Sequence, residues 1–318
     1  MREVVVRTGA RLHFGLFDLD PASAHQFGGV GMMIDTPGVT VRAELMDGEA
    51  DTASIVDADA ALTQRVLQFV GRIREACPRL PSLRIHVPQF IPSHHGLGSG
   101  TQLAIAIGAA ISRLAHLKLT PSEIAVATGR GRRSAIGVHG FERGGFIVDG
   151  GHSGQAELGT LQRRIAVPEE WRVVLVLPND TDGLSGSAEL QAFRDLPTMP
   201  PAISRSLREI VDQHIVPSLQ SADFGTFSSC LHEFGQQIGR FFAAVQGGTY
   251  RSPIAASIAD ELNETGPHAV VQSSWGPTVA VFAPNENQAN ALAASLQSRA
   301  KVLTTRPLNR PASVGEVT

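Results

Sequence analysis

Residues 92–117 constrain the fold more than any other stretch. PSHHGLGSGT runs into Leu103–Leu117, a segment that is nearly all apolar. A helix apolar on every side cannot lie on a surface, so this one predicts a core element covered by other layers. Just upstream, Leu83–Val87 alternates as a strand does. Gly96, Gly98 and Gly100 therefore fall where a strand hands over to a helix. Glycines at such a turn let backbone approach a ligand closely, and the free N–H groups of the helix start attract an anion. Ser99 and Thr101 add hydroxyls for phosphate oxygens or for a bound cation. The same turn also serves a core helix with no ligand at all. A Walker-type phosphate loop is excluded, because its lysine is missing.

The rest of the chain supplies the layers. Val4–Val6 reads as a strand, and Arg11 and His13 alternate with Leu12 and Phe14, which puts both polar side chains on one face. Met32–Ile34 and Val39–Ala43, separated by Asp35-Thr36-Pro37-Gly38, predict a hairpin. Asp57 to Ala76 carries apolar residues at three- and four-residue spacing, a helix stopped near Pro78. Thr120-Pro121-Ser122-Glu123 is a helix start, with Thr120 as N-cap and Glu123 closing a capping box. Phe146–Val148 is a short strand. Near Pro168 the texture changes. Strand Arg172–Leu177 and the polar loop PNDTDGLSGS precede three helical patterns, Ala202–Val216, Phe224–Val245 and Pro253–Leu262. Strands His268–Gln272 and Val279–Phe282, helix Asn287–Ser298 and strand Val302–Thr304 follow. This order suits a ferredoxin-like α/β sandwich, so the chain divides into domains 1–167 and 168–318, and the class is α+β.

Composition narrows the function. With 318 residues, 42% hydrophobic and 18% charged, there is material for packed cores. Lys+Arg 27 against Asp+Glu 30 leaves a net charge of -3, which argues against nucleic acid as a partner. The only lysines are Lys118 and Lys301, so any phosphate reader other than backbone is an arginine. Two cysteines, Cys77 and Cys230, without CxxC spacing predict neither a zinc site nor a disulfide framework. No stretch has the length of a membrane span, so a cytoplasmic protein without a membrane partner is expected. The apolar C-terminal helices would serve a homodimer as readily as a core.

Pro92–Thr101 resembles the second motif of the GHMP small-molecule kinase superfamily, Pro-x-x-x-Gly-Leu-Gly-Ser-Ser-Ala, but departs from it after Ser99 with Gly100-Thr101-Gln102. Together with ARLHFGLFDLD, GRGRRSAIGVHGFERGGFIVDGG and Ser273–Thr278 (SSWGPT), it is similar to one branch of that superfamily, the beta-ribofuranosylaminobenzene 5'-phosphate synthases. The resemblance implies an N-terminal domain like ribosomal protein S5 domain 2 and a C-terminal ferredoxin-like domain. It implies a decarboxylating phosphoribosyltransferase of tetrahydromethanopterin biosynthesis, within one-carbon metabolism. That activity condenses phosphoribosyl pyrophosphate with 4-aminobenzoate or 4-hydroxybenzoate, releasing CO2 and pyrophosphate with Mg²⁺ as cofactor.

Candidate residues follow. His95 and the loop Gly96, Gly98, Ser99, Gly100 and Thr101 would bind pyrophosphate or the 5'-phosphate, with Ser99 and Asp18 on the metal. Arg132, Arg133 and Ser134 would take the other phosphate or the benzoate carboxylate, although arginine pairs are often solvated faces. Arg11 and His13 would read the carboxylate, or form a plain surface pair. Ser274 and Trp275 would meet the substrate, Trp275 by stacking on the ring or else by filling a domain interface. His139 stands where the superfamily kinases place a catalytic aspartate in Ser-Gly-x-Asp, and with Asp149 it is a candidate for the chemistry. An ATP-dependent kinase of this superfamily is the alternative, but the sequence shows neither its carboxylate base nor a purine pocket. A non-catalytic ligand-binding relative that keeps the fold is a third reading.

Overall fold

A computed structural model of the chain describes residues 3–20, 23, 25–48, 50–56, 60–77, 79–153, 158–184, 186–265 and 268–317. The first layer is built on β1 (Glu3–Leu16) and β2 (Gly29–Met46), long antiparallel neighbours. Strand β3 (Thr52–Ile55), helix α1 (Ala60–Ala76) and strand β4 (Ser82–Gln89) follow. Then come α2 (Ser99–Leu114), α3 (Pro121–Ala127), α4 (Ile136–Arg143), β5 (Phe146–Asp149) and β6 (Leu161–Ile165). Helix α2 packs on β1 and β2 and is covered by α1, α3 and α4, which is why its sequence is apolar all round. Thr120 caps α3 with both hydrogen bonds of the capping box, as expected. Asp57 and Pro78, the expected ends of α1, lie outside the described residues.

The second layer opens with β7 (Arg172–Leu177), α5 (Gly186–Asp195) and α6 (Pro201–Ile210). A π-helical turn, Val211–Ile215, joins α6 to α7 (Val216–Ser221). Pro217 sits just after it; proline lacks an N–H and clashes with the carbonyl four residues back, so the wider turn relieves the helix without breaking it. Next are α8 (Phe224–Gln246), α9 (Pro253–Thr265), β8 (Val270–Gln272), β9 (Val279–Ala283), α10 (Glu286–Leu296), β10 (Lys301–Thr305) and β11 (Ser313–Val317). The sheet order β10-β7-β9-β8 is fully antiparallel. Numbered within the domain this is 4-1-3-2, the ferredoxin-like arrangement. The α+β fold with an S5 domain 2-like first half is the one expected.

Three readings change. The hairpin expected at Asp35–Gly38 does not form, because both flanking segments pair with the same strand. Gly9 faces Gly38 while Ala10 faces Ile34, so residues 35–37 bulge out of one continuous β2, and the Thr36–Pro37 peptide is cis. The turn-type residues of the bulge dock the chain's tail instead: Asp35 pairs with Arg306 and Arg310, and Thr36 bonds Thr305 Oγ1. The second domain also ends short of 318. Strand β11 returns to the edge of β1, and Asn309 bonds both backbone groups of Val167. Part of the loop 178–187 is helical, since α5 begins at Gly186.

One buried polar side chain ties the first layer together. Gln102, 0% exposed on α2, accepts from the Thr8 hydroxyl of β1 at 2.9 Å and donates to Gly137 O of α4 at 2.7 Å. Leucine there would orphan two buried polar groups, each worth about 1–3 kcal/mol. Gln102→Leu is expected to lower unfolding free energy by about 2–4 kcal/mol in a urea titration. A loss under ~0.5 kcal/mol would show that the tie carries nothing.

Candidate functional site

Four segments distant in the chain are stitched together at one place. On β1, Arg11 N donates to Leu97 O at 3.0 Å and its guanidinium donates to Gly96 O at 3.2 Å. The Ser273 hydroxyl also donates to Gly96 O, at 2.8 Å, and accepts from His13 N at 3.1 Å. Ser274 N donates to His13 O at 2.8 Å, and Gly183 N to His94 O at 2.8 Å. These contacts leave no room for side chains. A Cβ on Gly96, whose φ is +75, would lie 2.0 Å from Ser273 O, and one on Gly276 would lie 2.3 Å from His95 O.

The result is a half-open polar cavity over the start of α2, lined by residues 96–101, Ser93, His94, Ser274, Arg11, Arg65, Arg130 and Glu189. Gly98 occupies the N-cap in the left-handed region (φ 74) and offers no side chain to the helix end. Thr101 N and Gln102 N reach Gly98 O; the earlier amides of a helix have no carbonyl of their own. Positive charge crowds over this end. A Cβ on Gly100 would be 2.6 Å from one Arg65 nitrogen and 3.5 Å from one of Arg130, and one on Gly98 would be 3.5 Å from Arg11 Nε. Burial lowers the pKa of Arg11 to about 10, against the opposing charge of Glu189. Arg130 is also brought to about 10, first by burial and then by Arg65 and Arg72. Its Nε is buried without a hydrogen-bond partner. Three cations held this close to a single carboxylate are an arrangement that a phosphate would relieve.

Through Ser274 this cavity adjoins an aromatic one of about 480 Å³, lined among others by His13, Phe14, Phe193, Phe242, Tyr250, Gln272 and Trp275. Trp275 meets Phe193 and Phe242 edge-to-face, with centroids 5.3 Å and 4.6 Å apart. Burial, and secondarily the Arg11 charge, hold the His13 pKa well below its ordinary value, so the ring is neutral. Tyr250, pushed up to about 12 mainly by burial, donates to Val270 O and stays a phenol. An uncharged aromatic slot thus opens beside a cationic bowl.

The structure sorts the expected residues. Arg11, Gly96, Gly98, Ser99, Gly100 and Thr101 line the bowl, Ser274 lines both cavities, and His13 and Trp275 line the slot. Arg132, Arg133 and Ser134 line neither. Arg132 is exposed, its carbonyl taking a bond from His152; Ser134 Oγ accepts from Ile136 N at the start of α4. Arg133 lies over the Phe193 ring at 4.7 Å and beside Glu189 at 3.2 Å. Arg130, between Gly129 and Gly131 with φ of 68 and 83, takes the place expected of them. His94, not His95, faces the bowl. His139 and Asp149 are buried framework: His139 Nε2 contacts Gly159 O at 2.9 Å, and Asp149 accepts from Ala135 N and Gly151 N. Burial raises the Asp149 pKa while those two N–H bonds oppose the shift. Asp18 accepts from Asp20 N in its own turn; Leu16, where β1 ends, is already about 17 Å along the strand from Arg11. Asp18 lines neither cavity. Sequence reasoning missed Arg65 and Glu189. Arg65 reads as the polar face of α1, while Glu189 and Phe193, four residues apart, carry the signal of the unexpected α5.

Known proteins resemble the chain in sequence and in fold. Residues 62–145 match the model of the GHMP kinases N-terminal domain, and 215–302 match that of the GHMP kinases C-terminal domain. Mevalonate-3-kinase from Thermoplasma acidophilum superposes with a TM-score of 0.70 at 17% identity, covering 99% of this chain and 98% of its own, a likeness of fold. Fold and domain models thus define a transferase of the GHMP kinase superfamily. Beta-ribofuranosylphenol 5'-phosphate synthase of Archaeoglobus fulgidus is 30% identical, covering 92% of this chain and 91% of its own. The protein of the same name from Methanothermobacter thermautotrophicus is 28% identical over 98% of both. The chain belongs to the family of beta-ribofuranosylphenol 5'-phosphate synthases and is an enzyme. Among the described residues, no helix is long and apolar enough to cross a membrane.

His13, His95, His232 and His268 all have lowered pKa values, each chiefly through burial. The unfolded chain then binds more protons below about pH 6.5, so stability falls as pH drops through that value. His13→Asn is expected to flatten part of the fall between pH 7 and 5, by up to about 1.4 kcal/mol per pH unit. An unaltered slope would show that His13 charges freely in the fold.

Proposed function

We propose that the protein joins C1' of phosphoribosyl pyrophosphate to the ring carbon of a 4-substituted benzoate, releasing pyrophosphate and CO2. The observation that carries this reading is the shared wall at Ser274: a three-arginine bowl over a bare helix start lies against an uncharged aromatic slot. Arg11, Arg65, Arg130 and the α2 amides hold phosphate oxygens and stabilise charge on the departing pyrophosphate, electrostatic catalysis of the oxyanion-hole kind. The ring enters the slot against Trp275 and Phe193, carboxylate towards Arg11, so the carbon bearing it faces the ribose. Electrons from that ring carbon form the new bond to C1' as the bond to pyrophosphate breaks. The C–CO2 bond then breaks and returns its pair to the ring. Neutral His13 at the junction adds no positive charge to compete with the one developing on the sugar.

Mg²⁺ fits the bowl by the chemistry of its donors, the hydroxyls of Ser93, Ser99 and Thr101 and one carboxylate, all hard oxygens. When bound, it would neutralise charge on pyrophosphate, with Ser99 at the cavity wall holding it. Within the described residues, no group of three His, Cys, Asp or Glu side chains is placed to hold a metal, so substrate oxygens would supply most of the shell. The phenol in the names of the relatives favours 4-hydroxybenzoate as acceptor, because loss of CO2 from it leaves a phenol. Methanopterin biosynthesis in the cytoplasm is the setting this reaction suggests.

Incubation with Mg²⁺, phosphoribosyl pyrophosphate and carboxyl-labelled 4-hydroxybenzoate should release labelled CO2, and 4-aminobenzoate should do so less well. Arg130→Met is expected to cut turnover by about 100-fold, in line with loss of one charge-stabilising group. Arg132→Met should stay within about twofold, as for an exposed residue away from the site. No release from either acid, with ATP consumed on an alcohol, would return the protein to kinase chemistry.

A further inference from the structure

Glu189 is out of place in a phosphate site. Among the described residues it is the one carboxylate that lines the bowl, and it shares that space with Arg11, Arg65 and Arg130. Its side chain is 29% exposed, not withdrawn into the core. A pyrophosphate drawn in by the arginines meets a like charge there, an unfavourable contact in a partly desolvated cavity. A divalent cation between the two reverses the sign.

The neighbours of Glu189 fit that role. Arg133 Nη1 lies 3.2 Å from Glu189 Oε1, an ion pair that holds one carboxylate oxygen, while that nitrogen makes no hydrogen bond. Arg133 is itself fixed by the Phe193 ring at 4.7 Å, one turn further along α5. The start of α5 is anchored by Leu184 N to Trp275 O and Gly183 N to His94 O. The hydroxyls of Ser93, Ser99 and Thr101 complete an oxygen set on the same cavity. A cation of the Mg²⁺ kind takes one or two carboxylates, substrate phosphates and waters.

We propose that Glu189 is the protein carboxylate that receives the divalent cation escorting pyrophosphate, so that the metal site is divided between the α2 loop of the first domain and α5 of the second, with Arg133 as its positioning residue. The proposal rests on the bowl being the pyrophosphate site. Its consequence is a change of sign. Without metal, Glu189 opposes pyrophosphate; with metal, it favours it.

The test is calorimetric binding of inorganic pyrophosphate to the full chain, with EDTA and then with Mg²⁺, for the wild type, Glu189→Gln and Glu189→Asp. Glu189→Gln should bind pyrophosphate about three- to tenfold more tightly in EDTA, because a repelling charge is gone. In Mg²⁺ it should bind about tenfold or more weakly than wild type, and Glu189→Asp should recover part of the metal dependence. The Mn²⁺ resonance of the protein–pyrophosphate complex should narrow in Glu189→Gln by electron paramagnetic resonance. If Glu189 only braces Arg133, the variant loses affinity equally in both conditions, or in neither, and the proposal falls. Wild type that binds no pyrophosphate in either condition would overturn the phosphate reading of the bowl, and this metal site with it.

Discussion

The carbonyl of Gly96 is the point on which the site turns. It receives the Arg11 guanidinium from β1 and the Ser273 hydroxyl from the loop before β9. Two domains and three distant segments are registered against each other at a single oxygen. Because Gly96 has no Cβ, Ser273 O can approach to a distance that any other residue would forbid. The cationic bowl and the aromatic slot are both consequences of that registration, since Arg11, His13 and Ser274 are held by the same few bonds that bring the segments together.

Charge crowding explains what the fold is arranged around. Arg65 comes from α1, Arg130 from a loop with two left-handed glycines, and Arg11 from β1. Phe69 supports two of them, with Arg130 at 5.0 Å and Arg65 at 5.8 Å from its ring. Aromatic support of this kind holds guanidinium groups without neutralising them. The lysine-poor sequence therefore places its phosphate readers where planar, stackable cations are needed and ammonium groups would not serve.

Much of this was legible beforehand, and for physical reasons. The apolar α2 and the capped start of α3 are local signals, written in consecutive residues, and both fall where expected. The glycine loop likewise falls where expected, at the start of α2. What failed was non-local. Asp35-Thr36-Pro37-Gly38 has the chemistry of a turn, yet β1 is long enough to pair on both sides of it and makes it a bulge. Arg132 and Arg133 look like ligands by neighbourhood, but two left-handed glycines turn the chain so that Arg130 faces the bowl. His139 matches a catalytic aspartate by alignment, while its ring nitrogen is spent on Gly159. Arg65 and Glu189 carry no motif at all; only packing shows what they face.

The closing of β1 by β11 has a consequence for how the protein is made. Glu3 pairs with Val317, and the five-residue ladder runs to Arg7 with Ser313. During synthesis, β1 leaves the ribosome roughly half a minute before its last neighbour, at about 10 residues per second. Over that interval its edge presents unpaired N–H and C=O groups, the kind of surface that recruits strands from other chains. Until residues 313–317 pair with it, the edge of β1 stays open to mispairing. A strand made late thus seals the edge of one made early.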